Sequence, residues 1–350
     1  MDKSKSTFVV AIWLATIFPM LFFVLFWSYD SFAPALGIKE VLVFLGAAHV
    51  PATLLFYRDP RFRSGLAENK MLFYVIPVVL TLVGALVFAL SPLLLQGVFL
   101  CGYWCWQSYH YGKQNIGVYA FTSVATSGKS TDPSSKQLFV LLAWVSVFGT
   151  LKVLGRSAMP EEYHTYFNMA HGLGLVLYLG LVAYAVVIFI RNRMSLFSVN
   201  GVMFITLVAF FGPLYFTDTI EGAFLSYAIA HGVQYLVFMA IIASGTEKDG
   251  QASLWLNIGW FVLIVVGVGM IFVMPNRLAG SEFYTGDMAR FTIDLAVGAV
   301  LGATMAHFLI DAYTWKLSNP TSRTYILQRF KFLFAKPAPA ASKAPAEAAE

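Results

Sequence analysis

Five of the six histidines in this 350-residue chain lie inside apolar stretches, each in a different one: His49, His110, His171, His231 and His307. Imidazole titrates near neutral pH and is a ligand that suits iron, copper and zinc. Four of the five follow an alanine, in AAH, MAH, IAH and MAH, and a small neighbour lets another helix approach closely. This recurrence is too little to define a repeat. The sixth, His164, lies in the polar stretch MPEEYHTYF and reads as a loop residue.

Spacing gives these histidines polar companions. In AHFLIDAYTWKL, Asp311 follows His307 by four and shares its helix face. A carboxylate there can take one imidazole N–H and leave the other nitrogen free for a metal or a proton. Gln234 follows His231 by three in AHGVQY. In CGYWCWQSYHYGKQNIGVY, Gln107, His110 and Gln114 fall on one face. That face reaches the interior only if the helix continues through Tyr119; a helix ending at residue 112 would leave it at the interface. Polar groups inside a membrane face an interior or a water-filled cavity, because lipid contact is costly.

Depth brings some of these residues together. His49 is nine residues from both Glu40 and Arg58, and His307 is nine before Lys316, so each lies about 13 Å from a helix end. His231, ten after Glu221, is about 15 Å deep. His171 begins its stretch near the outer end and is expected to stand apart. The candidate metal ligands are therefore His49, His110, His231 and His307. Asp311 would orient His307, and Gln114 and Gln234 would position substrate or water. Such a centre with an open position suits oxygen or Lewis-acid chemistry; without metal, Asp311 or a histidine could act as a general acid on an alkene. The plainer alternatives stay open: a histidine can serve only as a helix–helix hydrogen bond, worth about 0.6–2 kcal/mol, and Asp311 can pair with Lys316.

The elements that must position these groups are membrane helices. The chain is 59% hydrophobic and 12% charged, with mean hydropathy +0.71. A soluble domain carries about a quarter of its residues as charges, so the bulk of this chain must meet lipid. The expected fold is all-α, a polytopic bundle with about ten spans of about 20 residues each. The spans are placed at 8–27, 40–57, 71–91, 93–112, 137–155, 167–190, 197–217, 221–244, 254–274 and 291–315. With residue 1 inside, only Lys39, Lys152, Arg156, Arg277 and Arg290 of the 23 Lys and Arg fall outside. Inner loops carry the basic excess, so both termini are expected on the cytoplasmic side of a bacterial inner membrane. The run Phe8–Trp27 is too long for a signal peptide and reads as the first span.

One transmembrane domain, 1–335, is expected, followed by a Pro/Ala-rich disordered tail, 336–350. Residues 126–136 read as a flexible loop, and 324–334 as a short amphipathic helix on the membrane surface. Cys101 and Cys105 share one helix face and read as buried thiols, not a disulfide. The net charge of +5 fits basic loops facing membrane lipids, not nucleic-acid binding. The site has no HExxH, HxxxH or HxxHH box, so it must be assembled across helices.

The segments HYG at His110–Gly112 and AHGVQY around His231 resemble those of the Brp/Blh family, polytopic membrane enzymes that cleave β-carotene to retinal. The resemblance implies iron held by histidines from separate spans. The chain departs from the family's Pro-His-Gly-x-x-Asp feature, since His49 sits in AAHVPATL. It carries Lys113, Gln114 and Asn115 where the family has an Asp after His-aromatic-Gly, and it lacks a second histidine after His231. The expected function is thus a membrane oxidoreductase or lipid-modifying enzyme. Its substrate would be an isoprenoid or other lipid, and its cofactor iron, or else copper or zinc. The competing readings are a transporter or proton-coupled channel using intramembrane His and Asp, and a b-type haem protein.

Overall fold

The computed structural model describes residues 3–26, 36–245, 250–279 and 287–334. The described residues are helices and short connections. The α-helices are α1 (Lys3–Leu21), α2 (Leu36–Ala52), α3 (Leu54–Arg58), α4 (Arg63–Glu68), α5 (Ile76–Leu90), α6 (Leu93–Ser127), α7 (Pro133–Thr150), α8 (Arg156–Ala158) and α9 (His164–Arg191). They continue as α10 (Val199–Ala209), α11 (Pro213–Phe216), α12 (Ser226–Ser244), α13 (Gly250–Leu263), α14 (Gly269–Ala279), α15 (Asp287–Thr314), α16 (Pro320–Arg329) and α17 (Lys331–Phe334). Eight helical stretches among the described residues are long and apolar enough to cross a membrane. The chain is a multi-pass helical membrane protein. The expected tail, 336–350, lies outside the described residues.

Two of the ten expected spans differ from the sequence reading. The fourth does not end at residue 112: α6 runs unbroken for 35 residues, about 52 Å at 1.5 Å per residue. It carries the polar patch inward, with Ser108, His110 and Asn115 buried. The seventh is interrupted. Pro213 has no N–H, and the chain tightens there, with Gly212 N–H bonding Ala209 O at 2.8 Å and Leu214 N–H bonding Phe211 O at 3.2 Å. The helix therefore splits into α10 and α11.

A second break matters more. Pro51 closes α2 without offering an N–H to the preceding turn. Thr53 N–H bonds Val50 O at 3.3 Å and Phe56 N–H bonds Thr53 O at 3.1 Å, so Thr53 stands between α2 and α3. Its hydroxyl is buried in the bundle.

Small residues set the helix spacing around the centre. Gly298 and Gly302 of α15 face Gly84 and Leu80 of α5 so closely that a Cβ on Gly302 would collide with the Leu80 carbonyl. The GxxxG spacing gives backbone-to-backbone packing, as in other membrane helix pairs. On α12, a Cβ at Gly232 would lie 2.8 Å from Gly46 O and 3.0 Å from His49 Nδ1. Only a residue without a side chain lets α12 lie on α2 at that distance.

The connections are tighter than expected. The loop expected over 126–136 shrinks to residues 128–132, because α6 continues to Ser127 and Asp132 caps α7, accepting from Ser135 N–H at 3.0 Å. Residues 324–334 fall on α16 and α17, and their apolar face turns into the protein. Tyr325, Ile326, Arg329, Phe330 and Leu333 are buried, and the Phe330 ring packs against Phe121 at 4.9 Å and Phe238 at 5.5 Å. Protein aromatics, not lipid, satisfy that apolar face. Arg329 and Tyr325 both bond the Asp59 carboxylate, Tyr325 at 2.8 Å, which pins the segment across the end of the bundle. Cys101 and Cys105 are free and half-buried, less enclosed than expected.

Candidate metal centre

Four helices each deliver one imidazole to the same depth: His49 from α2, His110 from α6, His231 from α12 and His307 from α15. All four are buried, none more than 8% exposed. The rings form a closed circuit. His49 meets His231 at 4.8 Å between centroids, His231 meets His110 at 5.0 Å, His110 meets His307 at 5.4 Å, and His307 meets His49 at 5.0 Å. Aromatic side chains back the circuit, with Phe308 stacked on His110 at 4.5 Å and Tyr111 tilted against His231 at 4.0 Å.

Hydrogen bonds fix which nitrogen faces inward. His49 Nδ1 bonds the Gly46 carbonyl one turn back, so this nitrogen carries the proton. His307 Nδ1 lies 2.7 Å from Thr53 Oγ1. Thr53 Oγ1 lies 3.0 Å from Tyr235 OH, and Tyr235 donates to Asp311 Oδ1 at 2.8 Å. With the carboxylate as final acceptor, the chain runs one way: His307 N–H to Thr53, Thr53 O–H to Tyr235, Tyr235 O–H to Asp311. In both histidines Nε2 is then left with its lone pair.

The Nε2 atoms of His49, His110, His231 and His307 are buried with no hydrogen-bond partner among the described residues. A buried polar atom left unpaired costs about 1–3 kcal/mol. His231 Nδ1 is unpartnered as well, and a cation on this circuit would satisfy these atoms three ligands at a time. Two overlapping groups could hold a metal ion: His49, His231 and His307, and His110, His307 and Asp311, with ligand atoms within 4.8 Å of one another in each. Metal–nitrogen bonds of about 2.1 Å bridge at most about 4.2 Å, so closing either group takes sub-ångström side-chain movement. The donor set suits iron, copper or zinc.

The other expected residues are placed as follows. Asp311 is buried beside the circuit but faces the Nε2 side, 3.5 Å from His307 Nε2 and 3.9 Å from His110 Nε2. The group on His307 Nδ1 is Thr53, not Asp311. Gln114 Nε2 donates to the His231 carbonyl at 3.0 Å and to Gln234 Oε1 at 3.1 Å. Gln234 Nε2 donates to Thr16 Oγ1 at 2.7 Å. The two amides thus tie α6, α12 and α1 together beside His231. His171 stands apart, half-buried against Tyr215 at 5.4 Å.

Thr53 and Tyr235 are the residues that sequence reasoning missed, although a signal was present. Each of the four clustered histidines has a polar residue four positions on: Thr53, Gln114, Tyr235 and Asp311. His171 has Leu175 there. The i, i+4 spacing puts the polar group one helical turn from the imidazole, so the four helices build a polar layer next to the histidine layer. Comparison with known protein families, curated proteins and solved structures finds no match.

Proposed function

We propose that the protein is a ten-pass membrane metalloenzyme, with both termini cytoplasmic, that acts on a lipophilic substrate of the isoprenoid or lipid class. The observation that carries this reading is the set of four unpartnered Nε2 atoms on one buried circuit. Eight crossings would be the long apolar helices, and α6 and the α10–α11 pair would make the other two. His49, His110, His231 and His307 would hold the metal, with iron favoured by the Brp/Blh resemblance. Bound there, the metal would supply oxygen activation or Lewis-acid polarisation. Gly46 and Thr53 hold the Nδ1 protons of His49 and His307 and so keep Nε2 basic. Asp311, linked to Tyr235, can hold a proton beside His110 and His307. Buried aromatic rings exclude water around the centre.

A haem needs two imidazoles on opposite sides of a flat macrocycle. Four rings in mutual edge contact leave no such slab between them, so a single ion fits better. The transport reading draws on the helix break at Thr53, since interrupted helices mark ion sites in transporters.

The test is elemental analysis of the purified protein, with lipid extracts from cells that have or lack it. About one transition metal per chain is expected, lost in His307→Ala, together with a changed lipid profile. Absence of metal from folded protein would sink the metalloenzyme reading, and solute flux in proteoliposomes with unchanged lipids would replace it with transport.

A further inference from the structure

The two groups that could hold a metal share His307, and they are not equivalent. His307 and Asp311 stand four apart on α15, so one helical turn sets their spacing. The glycine contact with α5 holds that helix in place. Asp311 Oδ2 lies 3.5 Å from His307 Nε2 and 3.9 Å from His110 Nε2. Metal–ligand bonds of about 2.1 Å reach across about 4.2 Å. Two edges of the His110, His307 and Asp311 group therefore need no movement to admit an ion.

One hydrogen-bond chain orients two ligands of this group. Thr53 takes the His307 Nδ1 proton, and Tyr235, 3.0 Å from Thr53 Oγ1, donates to Asp311 Oδ1 at 2.8 Å. Asp311 Oδ2 and the His307 Nε2 lone pair are then two acceptors side by side, an arrangement that a cation between them relieves. The His49, His231 and His307 group is less prepared. Gly46 orients His49, but among the described residues His231 has no hydrogen-bond partner on either nitrogen. Groups that orient a ligand sustain metal affinity, and His231 lacks one.

Charge separates the groups further. Three neutral imidazoles leave the charge of a divalent ion uncompensated inside the membrane, whereas the Asp311 carboxylate cancels half of it. A buried charge is costly unless it is paired. We infer that Asp311 is itself a metal ligand, through Oδ2, and that His110, His307 and Asp311 form the tighter of two stations for a single ion. The inference rests on the metalloenzyme reading and sharpens it, because two imidazoles and one carboxylate with open positions suit non-haem iron(II). His49 and His231 belong to the weaker station. With the ion in the tighter one, their nitrogens are left to hydrogen-bond a ligand placed beside it.

The test uses full-length protein in detergent, with iron(II) and zinc affinities measured by chelator competition. Asp311→Asn keeps a carbonyl oxygen for Tyr235 and removes the charge. It is expected to weaken binding by about 100-fold or more, beyond the about 10–100-fold that follows loss of an orienting group. His49→Ala and His231→Ala are expected to weaken it by less than about tenfold, within that smaller effect. Size-exclusion elution and the thermal midpoint of the metal-free protein report that each variant is folded. X-ray absorption on the zinc-loaded wild type needs no variant: it counts the imidazole rings on the ion, and two are expected. Three rings, or an Asp311→Asn loss no larger than that of His49→Ala or His231→Ala, would overturn the inference and leave the metalloenzyme reading standing. Wild-type protein that binds neither metal would sink that reading and this inference with it.

Discussion

Thr53→Val is the sharpest test of the centre, because it removes one oxygen and little volume. The hydroxyl accepts from His307 Nδ1 at 2.7 Å and touches Tyr235 OH at 3.0 Å. Both partners are buried, with His307 2% and Tyr235 2% exposed. The valine leaves the imidazole N–H without an acceptor, at about 1–3 kcal/mol. Tyr235 still has Asp311, so its loss is the smaller one. Two readouts follow. Folding stability falls by about 1–3 kcal/mol, seen as a lower thermal midpoint of the metal-free protein. Metal affinity falls about 10–100-fold, the range for losing a group that orients a ligand, equivalent to about 1.4–2.8 kcal/mol. The assay is competition against a calibrated chelator, with Thr53→Ser as the control that keeps the hydroxyl. Wild-type affinity in folded Thr53→Val would refute the claim that the Nδ1 contact sets the ligand nitrogen.

Other consequences can be checked separately. His171→Ala should retain full metal content while His307→Ala loses it, since His171 stands outside the circuit; equal loss in both would mean that the effect is on folding. Gly302→Leu forces a side chain into the Leu80 carbonyl and should destabilise by about 1–3 kcal/mol or more, with a lower thermal midpoint. At Asp59, burial pushes the carboxyl pKa up, but hydrogen bonds from Arg61 and Tyr325 and the Arg329 charge outweigh it and hold the pKa below the ordinary value. Its stabilising contribution is therefore complete above about pH 4, the unfolded value, and is lost as pH falls through the lowered folded pKa. Acid unfolding of wild type should show this step, and Asp59→Asn should lack it.

Much of the design is readable in the chain. Composition alone demands lipid-facing helices, and equal depth along separate helices singles out His49, His231 and His307. His110 depends on whether one helix goes on past residue 112. It does, because no proline interrupts α6 between Pro92 and Gly128, and a membrane helix tolerates the glycines at 97, 102, 112 and 117. What stays hidden is local. Averaged hydropathy treats 197–217 as one apolar run and cannot feel the missing N–H of Pro213. The same omission at Pro51 conceals Thr53, which looks like an ordinary helical threonine until the chain turns there. Residues 324–334 alternate basic and aromatic groups as a surface helix would. Which apolar partner they meet is decided by Phe121, Phe238 and Asp59, far away in sequence.

The glycine contact between α5 and α15 has a mechanical consequence. Backbones that touch without intervening side chains have no slack, so α15 cannot slide along α5 without driving a bulkier neighbour into the Leu80 carbonyl. His307 and Asp311 therefore ride on a fixed jaw. The opposing jaw is α2, which carries His49 and ends in a joint where the ladder of backbone bonds is already open. That jaw is held as well, because Gly232 of α12 lies against the Gly46 backbone, so closing the centre on a guest falls to side-chain rotation and not to helix sliding.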